Sequence, residues 1–320
     1  MRGIISVMVE NNRVRYTFEL RRNITIIRGD SATGKTTLIE MIAAYEQNPQ
    51  NGITLKCKKN CRVLSGVYWQ EQLERIKDSI VFIDEGNNFV REKAFADAVK
   101  KSDNYYVIAT REKLAMLPYS VEEIYGITNK TKGYGKIRRL YSSFRNLYLA
   151  DTISGGFDRV IVEDSNAGFT FFKAVFEAYG TNCISAKGKS NIAEMILKTP
   201  PQAHVLVIAD GAAFGPEMEK VLQAVFSRKV ELYLPESFEW LILKSGLVRD
   251  GDLPGILETP SDFVESRVYI SWERFFTALL TDRTKGTYLA YNKRKLNPAY
   301  LQPGEKTAIL EVTPIEDIQK

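Results

Sequence analysis

Residues 29–36 read Gly29-Asp30-Ser31-Ala32-Thr33-Gly34-Lys35-Thr36, a G-x-x-x-x-G-K-[ST] stretch between the apolar run Asn23-Ile24-Thr25-Ile26-Ile27 and the helix-like pattern Thr37-Leu38-Ile39-Glu40-Met41-Ile42. A loop so placed joins a strand to a helix. Its own amides and those of the first helical turn form a cradle for an anion. Gly29 and Gly34 let the backbone wrap phosphates with no Cβ in the way, Lys35 can reach the β- and γ-phosphates, and the Thr36 hydroxyl can ligate Mg²⁺. Residues 29–37, from Gly29 to Thr37, are therefore expected to hold a nucleoside triphosphate, taken as ATP, with Mg²⁺. The alternative is a glycine-rich turn that merely caps a helix.

A second run, Ser79-Ile80-Val81-Phe82-Ile83-Asp84-Glu85, has four buried-type residues ending in two carboxylates. A buried parallel strand presents its terminal acids at the carboxyl edge of the sheet, where ligands collect. Asp84 is expected to hold Mg²⁺ through water and Glu85 to polarise the attacking water, with Lys35 and Glu85 as the catalytic pair. Taken alone, the same run would be a strand ending in solvated acids. Tyr105-Tyr106-Val107-Ile108-Ala109-Thr110-Arg111 looks like the neighbouring strand, with Thr110 or Arg111 facing the γ-phosphate or simply closing the strand.

Alternation in Ile4–Val9 and Arg13–Phe18 predicts an N-terminal β-hairpin. Glu46–Gly52 reads as a surface loop, followed by a strand near Cys61–Leu64 and a helix over 68–77. Residues 124–141 suggest a basic hairpin with Asn129–Lys136 at its tip and Arg138, Arg139 and Arg145 following. Interleaved Tyr134 and Tyr141 suit a nucleic-acid surface, as they suit any solvated hairpin.

On the motifs at 29–36 and 79–85, residues 1–150 resemble a compact P-loop NTPase of uncertain subfamily. Leu64-Ser65-Gly66 resembles the start of an ABC signature, but Val67-Tyr68-Trp69 departs from its continuation.

After a linker at Asp151–Gly156 a new βα rhythm begins. Strands are expected at Arg159–Asp164, Asn182–Ala186, His204–Asp210 and Val230–Pro235, and helices at Ala167–Tyr179, Ile192–Leu197 and Pro216–Phe226, which predicts a second parallel sheet. Glu163 and Asp210 end two of its strands and would converge at one edge, where they could share a divalent metal. The arrangement resembles the Toprim domain, and a P-loop ATPase followed by Toprim resembles the OLD family nucleases. The resemblance implies a second domain, 157–320, that binds or cuts DNA or RNA in phage defence or DNA processing, with Glu163 and Asp210 as metal ligands. Two positions depart from it. Asp210-Gly211-Ala212 lacks a second aspartate, and Asn166 stands where many Toprim domains have an acid; Glu217, Glu236 and Glu239 could supply replacement ligands. The competing look-alike is a response-regulator receiver, whose later Thr and Lys are not evident, and an α/β domain with exposed strand-end acids is the plainest alternative. In residues 250–320, Ile270–Thr281 reads as a core helix with Trp272, Phe275 and Phe276 on one face, and a basic segment holding Arg283, Lys285, Lys293, Arg294 and Lys295 follows.

The bulk properties agree with two globular domains. At 320 residues, 44% hydrophobic and 26% charged, the chain is neither disordered nor fibrous. A net charge of +5 permits contact with nucleic acid without requiring it. Cys57, Cys61 and Cys183 form no disulfide framework, and Cys57-x-x-x-Cys61 lacks further Cys or His ligands, since His204 is the only histidine. No stretch approaches the ~18 apolar residues of a membrane span, and no signal-peptide core opens the chain. The expectation is a cytoplasmic α/β protein with a P-loop parallel sheet and a Toprim- or Rossmann-like second sheet. It would act as an Mg²⁺-dependent ATPase alone, as a homo-oligomer or with a partner protein. The alternative is a nucleotide-controlled switch whose second domain only binds.

Overall fold

The computed structural model describes residues 1–30, 33–131, 134–139 and 153–316. Ser31 and Ala32 of the glycine-rich loop, Lys132, Gly133, Tyr141 and Arg145 of the basic segment, and Asp151 and Thr152 of the linker lie outside the described residues. The chain is a mixed α/β protein that divides into two compact units, Met1–Tyr141 with Thr259–Ser271 and Ser142–Glu258 with Trp272–Lys320.

The first unit is built on β1 (Ile5–Glu10), β2 (Arg15–Leu20), β3 (Ile24–Arg28), α1 (Lys35–Gln47), β4 (Thr54–Cys57), β5 (Asn60–Val63), α2 (Trp69–Arg75), β6 (Ser79–Ile83), α3 (Lys93–Lys101), β7 (Tyr105–Ala109), β8 (Ile124–Thr131) and β9 (Tyr134–Arg139). Its nine strands run in the order β4-β1-β2-β9-β8-β3-β7-β6-β5. The half from β8 to β5 is parallel, and β3, β6 and β7 are buried at every residue, as strands covered on both faces must be. In β2 buried and exposed residues alternate strictly, because only one face is covered. The expected N-terminal hairpin is β1–β2, paired from Ile5↔Leu20 to Glu10↔Arg15. The basic hairpin is β8–β9, paired antiparallel.

Helix α1 lies against β1, β4, β5 and β6. Its Leu38, Ile39, Met41 and Ile42 share one core with Val7, Val9, Phe18, Ile80, Phe82 and Val107. Burying each Leu or Ile contributes about 1.5–3 kcal/mol, so this helix is held chiefly by its packing. Strands β4 and β5 stand at opposite ends of the strand order, yet only Lys58 and Lys59 separate them. The sheet must therefore curl around α1 until its two edges adjoin.

The expected boundary of the second domain, 157–320, needs one correction. Residues 259–271 belong to the first unit, where the N-terminal amine pairs with Glu265 and bonds Ser266 Oγ at 2.8 Å, and Asn23 Nδ2 donates to the Ile270 carbonyl at 3.0 Å.

The second unit contains β10 (Ile153–Ser154), β11 (Arg159–Val162), α4 (Ala167–Glu177), β12 (Asn182–Ser185), α5 (Ile192–Lys198), β13 (Val205–Ile208), α6 (Met218–Val225), β14 (Val230–Tyr233), α7 (Phe238–Lys244), α8 (Leu253–Glu258), α9 (Trp272–Thr284), α10 (Pro303–Glu311) and β15 (Ile315–Glu316). Its main sheet, β12-β11-β13-β14, is parallel throughout, and β10 pairs with β15 separately. Phe171 and Phe172 of α4 meet Phe238 of α7, and Trp272, Phe275 and Phe276 of α9 are buried as the amphipathic pattern predicts. Among the described residues no helix is long and apolar enough to cross a membrane.

Candidate functional site

Strand register brings the sequence-distant residues together in the first unit. Ile26 and Ile83 both pair with Ile108, so β3 and β6 flank β7 and end at the same edge. Three residues past Ile26 the loop begins at Gly29, and Asp84 follows Ile83. Gly29 has φ 143° and Gly34 φ 94°, values that side chains resist, and Gly34 caps the start of α1, whose first-turn amides have no partner within the helix.

Lys35 is buried, with 5% exposure, and Nζ donates to the carbonyls of Gly29 at 2.6 Å and Asp30 at 2.8 Å. Its ammonium thereby ties the start of α1 to the first two residues of the loop. Thr33 Oγ1 donates to the Asp30 carbonyl at 3.0 Å and adds a second tie. Thr36 and Thr37 are on the first turn of α1, and both are exposed. Thr36 Oγ1 lies 3.4 Å from Asp84 Oδ1. Neighbouring ligands of an octahedral Mg²⁺, at about 2.0–2.1 Å from the ion, stand about 2.9 Å apart, so a hydroxyl and a carboxylate at this separation fit such an ion with a small adjustment.

Glu85 is held between two cations, with Oε1 2.8 Å from Arg111 Nε and Oε2 3.9 Å from Lys35 Nζ. Its amide donates to Asp84 Oδ1 at 2.8 Å, which fixes the turn between the two acids. Of the two candidates at the end of β7, Arg111 reaches the acids, whereas Thr110 is buried and accepts the Glu112 amide at 3.0 Å. Two contributors have no motif in the sequence. Tyr16 Oη donates to the Gly34 carbonyl at 3.1 Å from across the curled sheet. Asn87 donates to the Asp84 carbonyl at 2.9 Å and accepts the Gly66 amide at 3.1 Å, tying the turns after β5 and β6. A polar residue two positions past Glu85 was the only available signal for Asn87.

The second unit places Glu163 and Asp210 at one edge, since Val162 pairs with Ile208 and both strands end there. The Asp210 amide donates to Glu163 Oε2 at 3.0 Å, and Glu163 N–H donates to the Ile208 carbonyl at 2.8 Å. Burial pushes the Glu163 carboxyl up to about 7, assisted by the charges of Glu273 and Asp164 against the Asp210 amide and Lys189. Asp164 is raised by burial, and Asp210 by burial and then by Glu273, Glu163 and Glu239.

Lys293 enters this acidic group with Nζ 2.6 Å from Glu273 and 3.7 Å from Glu239, and Tyr291 Oη donates to Glu239 at 2.8 Å. Burial alone would lower Lys293, but Glu239, Glu273 and Asp210 raise it. Of the replacement ligands, Glu239 is thus already engaged, and Glu217 is buried at the N-terminal side of α6. Ala212 is 2% exposed. Asn166 precedes α4, its amide bound by the Asp164 carboxylate. Among the described residues no three His, Cys, Asp or Glu side chains are grouped to hold a metal ion. His204 pairs with Glu231 at 2.6 Å.

No protein family matches the chain, and no curated protein matches it.

Proposed function

We propose that the protein binds Mg²⁺ and a nucleoside triphosphate, ATP by our reading, at the edge formed by residues 29–37 and 84–85, and hydrolyses it. The observation that carries this reading is the meeting of Lys35, Thr36, Asp84 and Glu85, drawn from two separate segments, within 3.9 Å of one another in pairs. The loop amides and Lys35 would bind and orient the β- and γ-phosphates, exchanging loop carbonyls for phosphate oxygens as partners of the ammonium. Mg²⁺, when bound by Thr36 and Asp84, would neutralise charge on the phosphates. Glu85 would take the proton of the attacking water, and Arg111 holds its carboxylate in place until the phosphate arrives. The reading rests on chemistry common to P-loop NTPases.

In this proposal the second unit engages DNA or RNA, with Glu163 and Asp210 as carboxylate ligands of a divalent ion, in the manner of a Toprim domain. A second reading is favoured by Lys293, which supplies a resident positive charge among the acids, and by the buried Ala212. On that reading the unit recognises a partner, protein or nucleic acid, under control of the nucleotide and cuts nothing.

The test is Glu85→Gln. We expect unchanged ATP affinity with turnover lowered about 10²–10⁴-fold, the range for loss of a general base. Wild-type turnover in the variant would move the base elsewhere.

A further inference from the structure

Cys57 closes β4 and Cys61 stands second in β5, where the curled sheet brings its two end strands together. Both sulfurs bind Lys59: its amide donates to Cys57 Sγ at 3.4 Å, and Cys61 Sγ–H reaches its carbonyl at 3.8 Å. The two sulfurs thus flank one residue, Cys57 on its amide and Cys61 on its carbonyl. Only residues 58–60 lie between them, so the two side chains stand on adjoining strand ends, from which side-chain rotation would have to bring the sulfurs to bonding geometry. Cys57 is half-buried and reachable from solvent, whereas Cys61 is 8% exposed. Among the described residues no third ligand joins them in a metal-binding group.

We propose that Cys57 and Cys61 are a reversible dithiol–disulfide pair, Cys57 attacking and Cys61 resolving, oxidised by a low-molecular-weight disulfide such as oxidised glutathione. The thiolate of Cys57 attacks one sulfur of the oxidant, forming a mixed disulfide and expelling one thiolate. Cys61 then gives up its proton and attacks the Cys57 sulfur, forming the internal disulfide and expelling the second small thiol, which carries the proton away. The protein loses two electrons and the oxidant becomes two thiols.

The local electrostatics support this order. The hydrogen bond from Cys61 lowers the Cys57 thiol to about 7 against the opposing effect of burial, with help from the amides of Lys59 and Lys58 and the charge of Lys59. The same bond raises Cys61, as does burial, and that first cause disappears once Cys57 is a mixed disulfide. Cys183, 3% exposed, is raised to about 12 by burial and serves as an internal control. The bond would add a covalent link at the seam that the chain itself closes only through residues 58–60.

The test treats the native protein with oxidised glutathione, counts free thiols and maps disulfides by mass spectrometry. We expect three thiols to become one, a Cys57–Cys61 cross-link with no retained glutathione, and full reversal by dithiothreitol. Cys61→Ser, and Cys61→Ala if the serine variant does not fold, should trap glutathione on Cys57. Cys57→Ser should leave Cys61 and Cys183 unmodified over the same interval. Stable glutathionylation of wild-type Cys57, or reaction at Cys57 no faster than at Cys183, would overturn the proposal.

Discussion

Replacing Gly34 by alanine strikes the glycine-rich loop and its scaffold together. At φ 94° a side chain costs about 1–3 kcal/mol in backbone strain. The new Cβ would also lie 2.7 Å from Tyr16 Oη. Tyr16 is buried in β2 and paired with Val9, so the ring cannot swing clear. Moving its hydroxyl breaks the bond to the Gly34 carbonyl, a loss of about 0.5–1.5 kcal/mol. Together these give about 2–4 kcal/mol. Removing the oxygen by Tyr16→Phe leaves the ring carbon at 3.7 Å, an ordinary contact, so most of the clash disappears. Urea unfolding of the wild type, both single variants and the double variant should give a coupling of about 1 kcal/mol or more, with Gly34→Ala costing less in the Tyr16→Phe background. An equal cost in both backgrounds would refute the Tyr16 contact, and a cost below about 0.5 kcal/mol would refute the left-handed conformation itself.

Arg22 and Glu123 face one another at 3.7 Å with side chains 8% and 1% exposed, and Glu123 also accepts from Thr25 Oγ1 at 3.1 Å. Glu123→Ala should therefore destabilise by about 3–5 kcal/mol in thermal or urea unfolding, and a loss under about 1 kcal/mol would show the pair to be solvated. The Arg111–Glu85 pair is half-exposed, so Arg111→Ala should cost less than about 1 kcal/mol in stability while slowing turnover; unchanged turnover would remove Arg111 from the site. Glu163 has its carboxyl raised above its ordinary value, so the folded state retains a proton that the unfolded state has lost. Its contribution is present below about pH 4.3 and is lost as pH rises from there to about 7. In metal-free protein Glu163→Gln should flatten the stability profile across that window, and an unaltered slope would contradict the raised carboxyl.

Much of the first unit was legible because a glycine-rich strand–helix turn and parallel strands leave local marks. The 23–27 run became β3, 79–83 became β6, and 105–111 contained β7 beside it, since continuous apolar runs bounded by polar residues have few other uses. The second sheet was legible for the same reason, with strands within two residues of their expected ends. Strand β4 was not read, because it is only four residues long and none of them is fully buried. Nor could residues 259–271 be placed, as their partners Met1 and Asn23 lie more than two hundred residues away. Lys293 looked like one charge in a basic segment, and only the fold brings it to Glu273 and Glu239. The burial of Lys35 was not legible either, because only the fold brings the carbonyls of Gly29 and Asp30 to its ammonium.

The most direct test of the nucleotide site is calorimetric titration of Mg²⁺ with a non-hydrolysable ATP analogue into wild-type protein, Lys35→Ala and the length-preserving Lys35→Met. With folding verified by circular dichroism, the account predicts one saturable, Mg²⁺-dependent site in the wild type and affinity at least about tenfold weaker in both variants, the loss expected for a charge-assisted bond to phosphate. Equal affinity in wild type and variants would contradict it.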